Sequence, residues 1–231
     1  APNTETVSHV DSCLSCLACV SACPSGVDYQ HYIDYARSYI EDHHQRPWFE
    51  RFLRSLIVYI ITHVRLFKFA LRIARFAKPF SRFFSSKNFS LINMVPAELK
   101  IEKITNTAKV FPAKGLKIKR VALLMGCAQN VLRPSINEAT IRLLTRMNME
   151  VVVTEGVGCC GALNHHIGKD NIARDLAKTN IDAWLTEFDQ RGIDNIVVNA
   201  AGCGTEIKDY AYMFKDDPEY NDKAKKISNL T

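Results

Sequence analysis

The sequence Cys13-Leu-Ser-Cys16-Leu-Ala-Cys19-Val-Ser-Ala-Cys23-Pro24 places four cysteines close together near the amino end of the chain. Their spacing is two, two and then three residues, with a proline after the last cysteine, and cysteines at this spacing ligate [4Fe–4S] clusters. Where a protein holds two such clusters, the fourth cysteine of the run ligates the other cluster. The run therefore predicts a cluster-binding region over residues 1–45 and implies a partner cysteine run.

Two other uses of these cysteines fit less well. Zinc sites draw their ligands from pairs separated by a dozen or more residues, and this run is much more compact. Disulfide scaffolds suit short secreted chains, whereas 231 residues with 47% hydrophobic content can bury a core without cross-links. The eight cysteines consequently indicate a reducing compartment, and we expect the protein to be cytoplasmic.

The net charge of +6 is concentrated in one segment. Between Arg46 and Ser90 ten Lys and Arg residues face a single acidic residue, Glu50, and the segment is also rich in large apolar residues. Its longest uncharged run, 55–64, is far shorter than the ~20 residues that span a bilayer. We predict a basic, apolar helical insert with a linker over residues 46–116, in which Pro79 breaks a helix and residues 91–117 lead into the next domain.

One helix of this insert has a basic face and an apolar face. Arg65, Lys68, Arg72 and Arg75 recur every three or four residues. The opposite side carries Leu66, Phe69, Ala70, Ile73, Phe76 and Ala77. The pattern is typical of a helix that packs on a core and exposes a solvated basic stripe, and equally of a helix that docks on a membrane surface or a partner. Nothing else in the sequence supports nucleic-acid binding.

From residue 117 to residue 231 the pattern changes to alternating strands and helices. Short apolar runs predict strands at 121–125, 150–154 and 195–199. Between them lie a helix at 135–147, with Ser135 and Glu138 spaced as a capping box, and a long helix that ends at Gly192. The inner face of the long helix is predicted to carry Ile172, Leu176, Ile181, Leu185 and Phe188. The fold class is therefore mixed α and α/β, with helical regions followed by an α/β domain built on a parallel sheet.

The remaining cysteines follow the three predicted strands of this domain. Cys127 follows the first strand, Cys159 and Cys160 follow the second, and Cys203 follows the third. The carboxyl ends of parallel strands meet at one sheet edge, so we expect the four thiols to converge on a metal or cluster site. The alternative is that they are buried structural cysteines. Two histidines come shortly after the second strand, His165 and His166, and either is a candidate for ligation or proton transfer, or is structural.

The cysteine pattern resembles the cysteine-rich "CCG" domain of heterodisulfide reductase and its relatives. In that family a cysteine, a Cys-Cys-Gly run and a Cys-x-x-Cys pair supply a site for a non-cubane [4Fe–4S] cluster. Cys127, Cys159-Cys160-Gly161 and Cys203 match, but Ala200 stands where the first cysteine of the last pair is expected. The departure leaves open whether the site holds a four-thiolate cluster, another metal or none.

The order of motifs along the whole chain resembles the iron–sulfur subunits of glycolate oxidases. It comprises the cysteine run ending in Cys-Pro-Ser-Gly-Val, the basic insert, Met-Gly-Cys-Ala-Gln (125–129), Cys-Cys-Gly-Ala-Leu (159–163), Asn-Ala-Ala-Gly-Cys-Gly (199–204) and Asp-Pro-Glu-Tyr (217–220). Members of that family carry a further ferredoxin-type run upstream and a second cysteine-rich domain downstream, so the resemblance implies a fragment. It also implies that Cys13, Cys16 and Cys19 hold one [4Fe–4S] cluster and that Cys23 serves another.

What the resemblance implies for function is electron transfer within a flavoenzyme complex. A flavin (FAD) subunit would oxidise glycolate to glyoxylate, and this chain would pass electrons towards a membrane quinone without itself acting on the hydroxy acid. The protein would be cytoplasmic and peripheral on the inner membrane. Two alternatives stay open: an iron–sulfur subunit of a glycerol-3-phosphate, lactate or heterodisulfide system, and a non-redox module in which the cysteines bind zinc and the basic helices dock a partner.

Overall fold

A computed structural model describes residues 2–78 and 109–231 of the chain. The amino-terminal part is helical, with α1 (Thr4–Ser12), α2 (Ala18–Ala22), α3 (Tyr29–His43), α4 (Trp48–Thr62) and α5 (Val64–Ala77). The carboxyl-terminal part holds the strands β1 (Lys109–Phe111), β2 (Lys119–Leu123), β3 (Met149–Val153) and β4 (Asn195–Val197). Its helices are α6 (Ala128–Leu132), α7 (Pro134–Arg146), α8 (Ala162–His165), α9 (Asp170–Arg191), α10 (Ala201–Met213) and α11 (Asn221–Leu230).

The four strands form one mixed sheet in the order β1-β3-β2-β4. β2 is parallel to both β3 and β4, with Val121 opposite Val151 on one side and opposite Asn195 on the other. β1 pairs antiparallel with β3, placing Lys109 opposite Val153. The three predicted parallel strands are thus confirmed to within two residues. The prediction of a purely parallel sheet is wrong, because β1 lies in a stretch interpreted as linker.

Helices cover both faces of the sheet. Alternate residues of β2 and β3 point to opposite faces, so Ala122 and Val152 pack with α9, α10 and α11, while Val121 and Val151 pack with Ile141 of α7. The larger core buries the side chains of Trp184, Tyr210 and Phe214 completely. This three-layer arrangement fixes the carboxyl edge of the parallel strands, where the cysteines follow.

Two local predictions in this part need correction. Ser135 does not cap α7, since the helix begins at Pro134 after Arg133 and has no side-chain cap; proline is well suited to the first helical position. The inner face of α9 is predicted correctly at Ile181, which is buried, and at Leu185 and Phe188, which pack against the core, but not at its amino end. Ile172 is exposed, and the buried face runs through Ala173, Ala177, Asn180, Ile181, Trp184 and Glu187.

The described part of the helical insert consists of α4 and α5, which join at His63 and are here called the hairpin. The sequence predicts helices in this region but not how they pack. One face of α5 packs against α6, with Leu71 and Val131 both buried and Val64, Phe67 and Ala74 around them. The break predicted at Pro79 and most of the predicted linker lie outside the described residues. In the part of the chain that is described, no helix is both long and apolar enough to cross a membrane.

Contacts from α3 tie the helical part to the sheet domain. The ring nitrogens of His31 are hydrogen-bonded to Asp28, which caps α3, and to Asp209 on α10, the latter at 2.8 Å. The ring of His31 also stacks on Tyr212. At Gly168, which has φ +81, a Cβ atom would lie 2.4 Å from the carbonyl oxygen of Arg37. The loop after α8 therefore packs directly on the backbone of α3.

Candidate functional site

The loop between α1 and α3 places three of its cysteines around one cavity, here called the loop cavity. Cys13, Cys16 and Cys19 line a space of about 350 Å³ together with Tyr29 and Tyr32. Cys16 and Cys19 are exposed and Cys13 is half-buried. Cys23 is not among the lining residues of the loop cavity. The arrangement has the division that the sequence predicts, three thiols together and the fourth apart, and ligation by these residues stays a prediction.

Two residues with unusual backbone geometry shape this loop. Ser15 and Leu17 have φ angles of 50° and 57°, in the left-handed region that non-glycine residues seldom adopt. Arg37, which is buried on α3, donates to Ser15 Oγ and to the carbonyl oxygen of Cys13, both at 2.5 Å. Strained backbone of this kind persists where the surroundings hold it in place. Arg37 supplies that support, and nothing in the sequence around it indicates this role.

The other four cysteines converge at the carboxyl edge of the sheet. Cys127, Cys159, Cys160 and Cys203 line a second space of about 320 Å³, here called the thiol cavity. The Sγ atoms of Cys127 and Cys159 are 3.5 Å apart. Cys127, Cys159 and Cys160 are buried, and Cys203 is half-buried in the first turn of α10. The sequence prediction of one shared site for these thiols is met by the geometry, while metal ligation there stays a prediction.

The thiols perturb one another's protonation. Hydrogen bonds from Cys127 and Cys160 lower the pKa of Cys159 to about 3. The bond to Cys159, together with burial, raises the pKa of Cys127, and the bonds to Cys159 and Cys203 raise that of Cys160. The bond from Cys160 lowers the pKa of Cys203. Thiolates are the forms that bind metal, so the cavity already favours anionic sulfur at Cys159 and Cys203.

Buried hydrogen bonds fix the Cys159-Cys160-Gly161 turn. Asn180 of α9 donates to the carbonyl oxygen of Cys159 and accepts from the backbone N–H of Gly158, both at 2.8 Å. Tyr210 of α10 donates to the carbonyl oxygen of Cys160 at 2.7 Å. Gly161 has φ +95 and lies against the backbone of Ala173, where a Cβ atom would be only 3.0 Å from the carbonyl oxygen. These contacts hold the backbone of the turn that carries Cys159 and Cys160.

A second polar network joins the loops that follow β2 and β4. Gln129 donates to Asn199 at 2.6 Å, and Asn199 donates to Asn137 at 2.9 Å. Asn137 in turn donates to the carbonyl oxygen of Met125 at 2.9 Å. These amides fix the spacing between the segments that carry Cys127 and Cys203. Gln129 and Asn199 belong to the segments 125–129 and 199–204, and nothing in the sequence indicates that they meet.

The two histidines after the Cys-Cys-Gly turn have different surroundings. His166 lines the thiol cavity, and its Nδ1 lies 3.5 Å from a carboxylate oxygen of Asp34. His165 points away from the cavity and pairs with Glu206 at 3.0 Å. Burial lowers the pKa of His165, but the hydrogen bond and charge of Glu206 outweigh it and raise the pKa to about 9. His165 is thus a buried cation in an ion pair, and His166 is the histidine nearer to the thiols.

A small pocket connects the two cysteine sites. Ser15 and Leu17 of the cluster loop lie on one side of it, and Gly202 and Glu206 of α10 lie on the other, around a space of about 50 Å³. Asp34 and His166 complete its wall. The loop that carries Cys13, Cys16 and Cys19 therefore abuts the helix that carries Cys203.

The fit of these residues to iron–sulfur groups rests on donor chemistry and space. Cysteine thiolates are the usual ligands of such clusters, and each set of thiols borders a cavity of several hundred cubic ångströms. Within residues 2–78 and 109–231, no three His, Cys, Asp or Glu side chains are grouped so that they could hold a single metal ion as they stand. The cysteine thiols and the volumes of the two cavities they line therefore fit iron–sulfur clusters.

Comparison with known proteins decides the nature of the sheet domain. Residues 121–208 match the cysteine-rich domain family. The matched segment contains all four cysteines of the thiol cavity, the Cys-Cys-Gly turn with its supporting residue Asn180, and Gln129 of the second polar network. The resemblance expected from the Cys-Cys-Gly pattern is thereby confirmed.

Curated relatives extend the similarity to almost the whole chain. The glycolate oxidase iron–sulfur subunit of Escherichia coli (strain K12) is 34% identical over 227 residues, which cover 98% of this chain and 52% of that protein. The "Probable glycolate oxidase iron-sulfur subunit" of Bacillus subtilis (strain 168) is 28% identical over 235 residues, covering 96% of this chain and 52% of that protein. The resemblance to this family is confirmed.

A third relative matches a shorter region. Lactate utilization protein A of Bacillus subtilis (strain 168) is 30% identical over 112 residues, which cover 48% of this chain and 44% of that protein. The chain spans about half the length of the curated relatives it matches. No solved structure matches it.

Proposed function

We propose that this chain is the electron-transferring part of an iron–sulfur subunit in a glycolate-oxidising complex. A flavin-containing partner subunit oxidises glycolate to glyoxylate, and electrons pass through this chain towards a membrane quinone. The chain itself binds no hydroxy acid. The similarity along 98% of the chain to a glycolate oxidase iron–sulfur subunit supports this assignment.

The structural observation that carries the proposal is that residues from the two cysteine sites border one small pocket. The loop with Cys13, Cys16 and Cys19 meets the helix with Cys203 across the small pocket bordered by Ser15 and Gly202. A cluster supplies one-electron storage when bound; this chain's residues hold it and place the two sites next to each other. Two adjacent cysteine sites suit an electron relay. A docking module stabilised by zinc has no evident use for them.

The roles of the cysteines follow from their positions. Cys13, Cys16 and Cys19 would hold one [4Fe–4S] cluster, and Cys23, which does not line the loop cavity, would serve a second cluster completed by residues elsewhere. Cys127, Cys159, Cys160 and Cys203 would hold a further iron–sulfur cluster in the thiol cavity. Ala200 lines that cavity as well, so a cysteine there would have faced the same space.

A location on the cytoplasmic face of the inner membrane is part of the proposal. The hairpin of α4 and α5 exposes large apolar side chains, among them Trp48 and Phe76, which are 75% and 80% exposed. The same hairpin carries exposed basic side chains on α5, including Arg65 and Arg72. Apolar groups flanked by cations are typical of helices that lie on anionic membranes.

A lactate-oxidising complex is the second candidate. It is favoured by the 30% identity with lactate utilization protein A, although that match covers 48% of the chain. Glycerol-3-phosphate and heterodisulfide systems have a similar layout of cysteines. The cysteine sites are compatible with each of these complexes, because the substrate is bound by another subunit.

The test is anaerobic purification of the full-length subunit with its flavin partner, followed by iron, acid-labile sulfide and zinc analysis. We expect iron and sulfide in equal amounts, and glycolate-dependent reduction of a soluble dye that exceeds the rate with lactate or glycerol 3-phosphate. Replacing Cys159 by Ser should lower the iron content, whereas replacing the exposed Ser21 by Cys should not. Zinc without sulfide would refute electron transfer, and a preference for lactate would favour the second candidate.

A further inference from the structure

A third cavity lies between the insert and the sheet domain and is separate from both cysteine sites. It occupies about 550 Å³ between α4 and α9, and we call it the α4–α9 cavity. Its lining residues come from α4, the turn after it, α8, the loop around Lys169 and α9. They include Phe52, Leu56, His63, Asn164, Lys169 and Thr179.

Resting on the proposed electron-transfer function, we propose that the α4–α9 cavity binds the ring of the quinone that accepts the electrons. Pockets for small organic molecules have a few hundred to a thousand cubic ångströms, mostly apolar walls and a small number of polar groups. The α4–α9 cavity has this composition. Phe52, Leu56 and Leu176 supply apolar surface, and polar groups lie at its borders.

The polar groups suit a ring with carbonyl oxygens. Lys169 lines the cavity and its Nζ donates to Ser55 Oγ at 2.5 Å, so an ammonium group is held at the wall. His63 Nδ1 lies 2.7 Å from the carbonyl oxygen of Tyr59, which fixes a proton on Nδ1 and makes Nε2 the ring atom for proton exchange with a ligand. An ammonium group can donate to one carbonyl oxygen of a quinone, and the imidazole can serve the other.

The position of the α4–α9 cavity relative to the thiol cavity suits a terminal electron acceptor. α8 is a single short turn of helix between the two spaces. Its residues Ala162 and Leu163 line the thiol cavity, and the next residue, Asn164, lines the α4–α9 cavity and is 4% exposed. A ring in the α4–α9 cavity is therefore separated from the cysteine site by one layer of protein.

The cavity is also continuous with the exposed apolar surface of α4. Phe52 and Leu56 line the cavity and are themselves partly exposed, at 55% and 37%. Quinones with long apolar tails are dissolved in the membrane, and the proposed membrane-facing hairpin would bring the cavity to that phase. The tail would then follow α4 while the ring enters the cavity.

The reductant for quinone reduction at this site is supplied by the proposed function of the chain. The quinone takes up two electrons, delivered one at a time from the reduced iron–sulfur chain that the flavin subunit feeds. Two protons, exchanged with solvent through His63 and Lys169, convert its two C=O groups to C–OH. The product is the hydroquinone, which leaves towards the membrane, and the iron–sulfur chain returns to its oxidised form.

The experiment compares two matched tryptophan substitutions on α9 in the full-length complex. Thr179 lines the cavity and Thr186 does not; both are exposed, and both donate to the carbonyl oxygen four residues earlier, at 2.9 and 2.8 Å. We expect Thr179→Trp to lower the ratio of short-tailed quinone reduction to dye reduction by at least about tenfold, by occupying the cavity. Thr186→Trp should leave this ratio unchanged. Equal ratios in both variants would overturn the proposal.

Binding is measured independently of turnover with an azido-quinone that labels protein on illumination. The label should appear in peptides of α4 or α9, should be displaced by excess quinone, and should be lost in Thr179→Trp but not in Thr186→Trp. Label confined to other surfaces, or displaced equally well by a fatty acid, would refute a quinone site. If glycolate fails to reduce even the dye while the α4–α9 peptides are labelled, the proposed function fails and the cavity assignment stands.

Discussion

Arg37 on α3 donates to the carbonyl oxygen of Cys13 at 2.5 Å, so the first cysteine of the cluster loop is anchored by a residue from the following long helix. The same guanidinium group also donates a hydrogen bond to Ser15 Oγ, at 2.5 Å. Arg37 is buried, and its partner carboxylate, Asp34, lies 3.9 Å away. One side chain thus joins the cluster loop to Asp34, which borders the small pocket between the two cysteine sites.

Replacing Arg37 by Lys keeps the positive charge near Asp34 but removes the fork that bonds two oxygens at once. We expect the free energy of unfolding to fall by about 2 kcal/mol, the typical cost of hydrogen bonds to a charged group. The iron content of the loop site should fall with it. Denaturant unfolding under reducing conditions and iron analysis measure the two effects. Arg142→Lys, on the exposed side of α7, is the control, and equal behaviour of the two variants would contradict a positioning role.

Gly168 and Gly192 form a matched pair for testing the contact between α3 and the sheet domain. Both have positive φ angles, +81 and +71. A Cβ atom at Gly168 would collide with the carbonyl oxygen of Arg37, whereas a Cβ atom at Gly192 would have no other atom within 4 Å. Gly192→Ala should cost about 1 kcal/mol from backbone strain alone. Gly168→Ala should cost about 2 kcal/mol more, because backbone must move. Thermal unfolding of both variants tests this, and equal losses would show that the close approach is unimportant.

Local patterns in the sequence predicted the features that depend on neighbouring residues. The strands at 121–125, 150–154 and 195–199 were found because a short apolar run between glycines has few other interpretations. The convergence of Cys127, Cys159 and Cys203 then followed from parallel topology alone. By contrast, β1 has only three residues and no alternation that separates it from a linker, so its pairing with β3 could not be predicted.

Features that depend on contacts distant in sequence were not predictable. Arg37, Asn180 and Tyr210 support the cysteine loops through bonds to backbone atoms, and nothing in their local sequence indicates those partners. The inner face of α9 was predicted only in part, because small and polar residues, Ala173 and Asn180, occupy buried positions while Ile172 is exposed. Periodicity selects the most hydrophobic face, and tertiary packing shifts the buried face away from it at the start of this helix.

The apolar face of α5 predicted from periodicity is largely the exposed one. Phe69, Ile73 and Phe76 are 60%, 54% and 80% exposed, while Leu71 lies on the face that packs against α6. Replacing these three exposed residues by Ser should weaken binding to anionic vesicles at least about tenfold, because each apolar side chain that inserts contributes on the order of 1 kcal/mol or more. Cosedimentation with vesicles measures the change.

The control for this prediction removes three equally exposed apolar side chains from the sheet domain. Leu116, Ile118 and Leu143 are 88%, 63% and 59% exposed, and their replacement by Ser should leave vesicle binding unchanged. Charge reversal of Arg65, Lys68, Arg72 and Arg75 to Glu should also weaken binding, and more so at low ionic strength, where charges are less screened. Membrane partition that is the same in all variants would refute a membrane-facing role for the hairpin.

The ion pair of His165 and Glu206 makes stability depend on pH in a defined window. Both side chains are largely buried, with 12% and 4% exposed, and the pKa of His165 is raised from 6.5 to about 9. The folded state keeps this proton after the unfolded state has lost it. The stabilisation is therefore fully present below pH 6.5 and is lost as the pH rises through 9.

Replacing His165 by Gln should remove this pH dependence. In the parent protein the free energy of unfolding should fall by up to about 3 kcal/mol between pH 6.5 and pH 9.5, since each pKa unit corresponds to about 1.4 kcal/mol. In His165→Gln the decrease over the same range should be much smaller, because the amide does not titrate. His9→Gln, at an exposed histidine of α1, should behave as the parent does. Urea unfolding at several pH values under reducing conditions measures these slopes; parallel curves for the parent and His165→Gln would show that this histidine is not charged in the folded protein.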